Sequence, residues 1–131
     1  MPDLHKHLLV DAKLNKPPTD AKVVEDWLRR LVKAVDMEIF MEPQAKFCDD
    51  PNNEGVTGTV VITTSHASVH VWSGIPEPYA KFDLYSCKDF TTADFLKLVE
   101  EFEPTKVSYT VIDRTGDVHR IVDQDVLLYK R

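Results

Sequence analysis

The sequence predicts an α+β fold: a two-layer sandwich in which an antiparallel sheet carries two helices on one face. Three observations predict it. Two segments space their apolar side chains as an amphipathic helix does. At least five others alternate apolar and polar residues as strands do. The central strands are joined by connections of hairpin length, which antiparallel neighbours accept and parallel ones do not. A chain of 131 residues, 43% apolar and 29% charged, is one domain (1–131) long enough to bury its own core.

The elements follow in order. Residues 5–12 read as a first strand around Leu8-Leu9-Val10. Asn15-Lys16-Pro17-Pro18 breaks it, and Thr19 or Asp20 caps a helix. Val24, Trp27, Leu28, Leu31, Val32 and Val35 form its apolar stripe, which makes Trp27 a core residue. Residues 37–48 read as a strand interrupted at Pro43 or lying at a sheet edge, since proline cannot donate to a ladder. A polar loop, 49–55, precedes strands at 58–63, 67–72 and 79–86, and residues 73–78 join the last two. Thr91 or Thr92 opens a second helix, with Asp94 three residues after Thr91 and an apolar stripe of Phe95, Leu98, Val99 and Phe102. Pro104 stops it. Residues 106–113 alternate as a strand, Thr115-Gly116-Asp117 turns, 118–122 return as a hairpin, and 127–129 dock as a short last strand.

The formal net charge of -6 argues against nucleic acid as a partner and suits a cationic substrate. No run of residues has the apolar length of a membrane span, and no signal peptide is evident, so a cytoplasmic protein is expected. Cys48 and Cys87 are then reduced. His5, His7, His66, His70 and His119 are not spaced with acidic or cysteine partners as metal ligands, so no metal is expected.

The midpoint of the chain is the unusual part. In Ser65-His66-Ala67-Ser68-Val69-His70-Val71-Trp72, strand alternation puts Ser68, His70 and Trp72 on one face and valines on the other. A hydroxyl, an imidazole and an indole in a row are not what packing alone requires. This run resembles the self-processing segment of the short, bacterial-type S-adenosylmethionine decarboxylases. A second match lies in Tyr79-Ala80-Lys81-Phe82-Asp83-Leu84-Tyr85-Ser86-Cys87, and a thinner one in His7-Leu8-Leu9-Val10-Asp11.

The resemblance implies self-cleavage between Thr64 and Ser65, giving a β chain (1–64) and an α chain (65–131) that starts with a pyruvoyl group made from Ser65. It implies His70 as the base of that processing and Thr57 as an assisting hydroxyl. It implies that the pyruvoyl group, as a Schiff base with the substrate amine, accepts the electron pair released with CO2. Cys87 would return a proton to the α-carbon, as a thiol pKa allows; otherwise it is a small buried apolar residue. The family's sheets pair face to face in homodimers, so the face carrying Ser68, His70 and Trp72 is expected to meet a second copy.

Two departures bear on the expectation. Thr64 stands where the family has glutamate; the acyl shift uses the backbone carbonyl, so threonine does not forbid it. The family's Pro-Glu, which holds the ribose, follows the aromatic residue directly, whereas here Ser73-Gly74-Ile75 separates Trp72 from Pro76-Glu77. Glu77 either reaches the ribose or is a loop carboxylate. Trp72, Tyr79 and Phe47 are the candidate surfaces for adenine. The function expected is decarboxylation of S-adenosylmethionine to the aminopropyl donor of polyamine (spermidine) synthesis. An arginine or ornithine decarboxylase with the same cofactor is the alternative, with Asp83 or Glu54 for the distal cation. A homologue that binds without being processed is the third reading.

Overall fold

The structure, a computed structural model, describes residues 4–130. Its strands are β1 Lys6–Leu14, β2 Ile39–Cys48, β3 Gly55–Ile62, β4 Ser65–Trp72, β5 Tyr79–Ser86, β6 Pro104–Asp113 and β7 Arg120–Leu128. Its helices are α1 Ala21–Ala34 and α2 Thr92–Val99, the second continued by a 3-10 turn, Glu100–Phe102. The strands form one sheet in the order β2-β3-β4-β5-β1-β6-β7. Every neighbouring pair is antiparallel. This is the α+β sandwich expected from the alternation. Among the described residues no helix is long and apolar enough to cross a membrane.

The caps explain where the helices begin. The Asp20 carboxylate accepts from the Lys22 N–H at 2.7 Å, and the Thr91 hydroxyl accepts from the Asp94 N–H at 3.1 Å. Each satisfies an orphan donor of a first turn. One face of the sheet carries Leu8, Val10, Val60, Val69, Phe82 and Leu84, all buried under the helices. Trp27 lies at their centre, packed on Phe82, Phe95 and Phe102, with its indole N–H donated to the Leu98 carbonyl at 2.8 Å. A buried indole of this kind contributes about 3–5 kcal/mol relative to alanine. α1 approaches β3 closely because Gly58 has no side chain: a Cβ there would meet Val24 Cγ1 at 2.7 Å.

Several element boundaries differ from expectation. β2 lies at the sheet edge, as Pro43 implied, but is not interrupted: it runs through the proline, its register against β3 shifting between Ile39 and Gln44. Pro104 both ends the second helical segment and opens β6. The tail is one strand, β7, rather than a hairpin return and a separate short strand: Arg120 to Leu128 pairs along β6, with one irregularity between Val111 and Ile112.

Among the described residues no helix covers the other face of the sheet. Register sets its side chains in rows. His66, Tyr85, His7 and Ile112 form one row, and Ser68, Asp83, Leu9 and Thr110 the next. His70, Lys81, Asp11 and Ser108 follow, then Trp72, Tyr79, Lys13 and Lys106. Leu9, Ile121, Val126 and Leu128 stand exposed on or beside these rows.

Candidate active site

The β3–β4 hairpin puts the Thr64–Ser65 bond at the end of the sheet. Ser65 pairs with both Ile62 and Ser86 and has φ 156°, a conformation that a residue with a side chain rarely adopts. The carbonyl just before it, that of Thr64, accepts the backbone N–H of Cys87 at 3.1 Å. The Thr64 hydroxyl accepts from Ser86 Oγ at 3.0 Å and donates to Met37 Sδ at 3.5 Å. The Thr63 N–H donates to the Glu38 carbonyl at 3.0 Å. The bond is therefore held from two sides, by the α1–β2 connection and by the end of β5. A donor on a carbonyl oxygen polarises its carbon toward a nucleophile and receives the charge that attack would develop. The adjacent hydroxyl is that of Ser65.

His70 and Thr57 face each other across β4 and β3, with Thr57 Oγ1 and His70 Nδ1 3.2 Å apart. They lie on the open face, but not beside Ser65. Five residues of extended strand separate His70 from Ser65, about 16 Å along β4. Trp72 lies farther along the same strand. Its ring stacks on Tyr79 with centroids 4.8 Å apart and an interplanar angle of 16°, and the His70 ring lies 6.2 Å from its centroid. The indole N–H donates to Asn53 Oδ1 at 2.8 Å. Glu77 sits in the β4–β5 loop, 4.0 Å from Lys13 Nζ with its side chain 81% exposed. Phe47 packs against the helix-side core, apart from this aromatic row.

Thr64, Ser65, Ser86 and Cys87 are thus brought together at one end of the sheet. His70, Thr57, Trp72, Tyr79 and Glu77 are brought together at the other.

Between them lies a cluster that reading the sequence did not find. His7 Nε2 stands 3.2 Å and His66 Nε2 3.8 Å from the same oxygen, Asp83 Oδ1. The closer pair is an ion-pair contact rather than a directed hydrogen bond, since neither buried atom has a partner of hydrogen-bonding geometry. Arg114 Nη1 lies 3.2 Å from His7 Nδ1. A guanidinium only donates, so Nδ1 accepts and the ring proton of a neutral His7 sits on Nε2, facing Asp83. The same guanidinium lies 4.3 Å over the Tyr85 ring, and Tyr85 Oη is 2.7 Å from His5 Nδ1. Burial pushes the Asp83 carboxyl up, but His7, His66 and His70 more than offset it and hold it below the usual aspartate range. The only local signal was alternation, which puts His7 and Asp83 on the open face without showing that their strands are neighbours. A cavity of about 420 Å³ opens beside the cluster, lined in part by Ser68, His70, Lys81, Asp83 and Asp11.

The family model described as S-adenosylmethionine decarboxylase matches residues 6–115. The chain is 30% identical over 129 residues to the S-adenosylmethionine decarboxylase proenzyme of Pyrococcus abyssi, covering 95% of this chain and 84% of that one. It is 29% identical over 112 residues to the proenzyme of Archaeoglobus fulgidus, covering 83% and 96%. It is 29% identical over 118 residues to that of Methanococcus maripaludis strain C5, covering 87% and 92%. A solved phage SAM lyase in its apo state aligns over 96% of this chain and 90% of that one, with a TM-score of 0.46 and 16% identity. With a match to the family model over residues 6–115, most of its length, the chain belongs to the S-adenosylmethionine decarboxylase family.

Proposed function

We propose that this chain is a self-processing, pyruvoyl-dependent S-adenosylmethionine decarboxylase of the cytoplasm, supplying the aminopropyl donor for polyamine synthesis. The observation that carries the reading is the Thr64 carbonyl on the Cys87 N–H, next to the strained Ser65. The Ser65 hydroxyl adds to that carbonyl carbon. The C–N bond breaks, the hydroxyl proton passes to the freed amine, and an ester links Thr64 to Ser65. A base takes the Ser65 α-proton, and the Thr64 carboxylate leaves as the new C-terminus. The remaining enamine tautomerises, and water converts it to a pyruvoyl group with loss of ammonia. The residues present fit that group, since Ser65 can yield it and Cys87 directly follows the residue paired with Ser65 in the sheet. Once formed, the pyruvoyl group supplies an electron-accepting carbonyl for decarboxylation.

The chain's own residues divide the remaining work. Cys87 adjoins the cleaved bond through its N–H, and its thiol is assigned the return of the proton. His70, with Thr57 on its Nδ1, is the base, but about 16 Å of strand keeps it from Ser65 of its own chain. A second copy resolves this. Two open faces packed about a two-fold axis that runs across the strands would bring the Ser65 end of each sheet to the His70 end of the other. The exposed Leu9, Ile121, Val126 and Leu128 give that face apolar surface to bury. The functional unit is then a homodimer of processed αβ units. Glu77 and the Trp72–Tyr79 stack stand at the His70 end, where they meet the nucleoside. Asp83 is committed to His7 and His66, so it is not free to take the distal cation of arginine or ornithine.

Denaturing mass spectrometry of the purified protein tests the reading. The expected result is two fragments in place of the 15.0 kDa chain, the larger lacking a free N-terminal amine. Ser65→Ala stays whole. Cys87→Ser keeps its N–H, so it cleaves but releases CO2 from S-adenosylmethionine slowly. A wild-type chain that remains whole points instead to an unprocessed binding protein.

A further inference from the structure

The cleavage chemistry above gives no task to Ser86, the one polar side chain among the described residues that is both fully buried and in contact with Thr64. Its hydrogen bonds form a chain that runs toward Met37. The Lys88 backbone N–H donates to Ser86 Oγ at 2.9 Å, so Ser86 accepts there. Its own proton then goes to Thr64 Oγ1 at 3.0 Å, and the Thr64 proton goes to Met37 Sδ at 3.5 Å. A thioether is a weak acceptor. Thr64 is therefore held chiefly from the Ser86 side.

Thr64 is thus gripped twice by consecutive residues of one turn: its side chain by Ser86 and its carbonyl by the Cys87 N–H. The peptide plane between Thr64 and Ser65 relaxes its strain by rotating, and that rotation takes the carbonyl off its donor and out of line with the Ser65 hydroxyl. With both ends of the residue fixed the rotation is blocked. We propose that Ser86 is a positioning residue for self-cleavage, acting through the Thr64 hydroxyl to keep the strained peptide in its reactive orientation. The hydrogen bonds of its side chain go to Thr64 and Lys88, not to the attacking oxygen or the leaving nitrogen. Other hydrogen bonds clamp the same turn, among them Lys88 Nζ on the Asp36 carbonyl and the Thr63 N–H on Glu38, but neither acts on the Thr64 side chain.

The inference rests on the self-processing proposed above, and its test keeps the two apart. Full-length chains freshly made by cell-free synthesis are followed by denaturing mass spectrometry as the fragments appear. Thr64→Val keeps the shape of the side chain and removes only the hydroxyl, leaving the Ser86–Lys88 turn intact. Ser86→Ala removes the donor. Each is expected to slow cleavage about tenfold, the effect of one lost buried hydrogen bond. The double variant is expected to be no slower than either, because both remove the same bond. Ser86→Thr and Thr64→Ser, which keep the hydroxyls, restore the rate. If the wild type cleaves and either Thr64→Val or Ser86→Ala keeps pace with it, the inference is overturned, and Ser86 serves only its own turn. If Ser86→Ala does not fold, Thr64→Val decides alone. A wild type that never cleaves overturns the self-processing reading and this inference with it.

Discussion

Asp83 shows at the scale of one residue how the open face is tuned. One carboxylate oxygen receives two imidazoles, and the nearer imidazole is itself oriented by Arg114. The folded carboxyl is held below its ordinary value, so folding favours the ionised form. The sign of the linkage follows. Stability from this group is fully present above the unfolded aspartate pKa of about 3.9 and is lost as pH falls through the lower folded value. Wild type is therefore expected to resist urea better than Asp83→Asn at pH 7, with the gap closing below about pH 4. Urea midpoints of both proteins across that range check it; a gap that widens on acidification excludes the ionised carboxylate as its source. Half-exposed His66 adds less than His7, since solvent screens it.

At the scale of elements, the strands are held to their ends by contacts between loops. Gly55 opens β3 at φ 154°, and a Cβ there would meet the Val71 carbonyl oxygen at 1.7 Å. The β2–β3 loop can then close on the end of β4, where the Ser73 N–H reaches the Glu54 carbonyl at 3.1 Å and Asn53 takes the Trp72 indole. Alanine at position 55 must push β3 and β4 apart in addition to adopting a strained φ, which alone costs about 1–3 kcal/mol. Gly55→Ala is expected to lower the urea midpoint by at least that cost and to increase the solvent exposure of Trp72, read as a red shift of its fluorescence. An unchanged midpoint and spectrum would show that the close approach is not needed. At the same scale, β7 forms the sheet edge with little covering it: Ile121, Val122, Val126 and Leu128 are all more than half exposed. The alternation of 118–122 was visible in the sequence, but the continuity of the strand through Asp123, Gln124 and Asp125 was not. Polar residues there interrupt the apolar signal while the ladder with β6 continues.

At the scale of the whole molecule, the separation of Ser65 from His70 makes a prediction that one chain alone cannot satisfy. A Ser65→Ala chain has an intact His70, and a His70→Ala chain has an intact Ser65. Neither is expected to cleave by itself. Unfolded together in equal amounts and refolded, about half of the His70→Ala chains should find a Ser65→Ala partner and be cut, if pairing is random and isologous. Mass spectrometry distinguishes the two chains, and light scattering gives the mass of the assembly. Cleavage of wild type with none in the mixture would place the base within the same chain and remove the reason for a shared site.

What the sequence determined alone was what local chemistry encodes. Period-two alternation sorted β4 and β5 into a valine and phenylalanine face and a histidine, serine and tryptophan face, because a strand turns each successive side chain over. Helical spacing placed Trp27 in the core, and short polar residues marked the starts of both helices. The motif around Ser65, His70 and Cys87 pointed to the family without any coordinates. Tertiary structure alone decided the rest. β1 enters the sheet between β5 and β6, which brings His7 to Asp83 and Arg114 to His7. Strand order depends on pairings between distant segments, and alternation within one strand carries no record of its neighbour. The Cys87 N–H on the Thr64 carbonyl was invisible for another reason: both atoms belong to the backbone, and no side chain announces them. The spacing of Ser65 and His70 was legible throughout; that this spacing separates them follows only from the straight, extended course of β4, which leaves neighbours in a motif at opposite ends of a sheet.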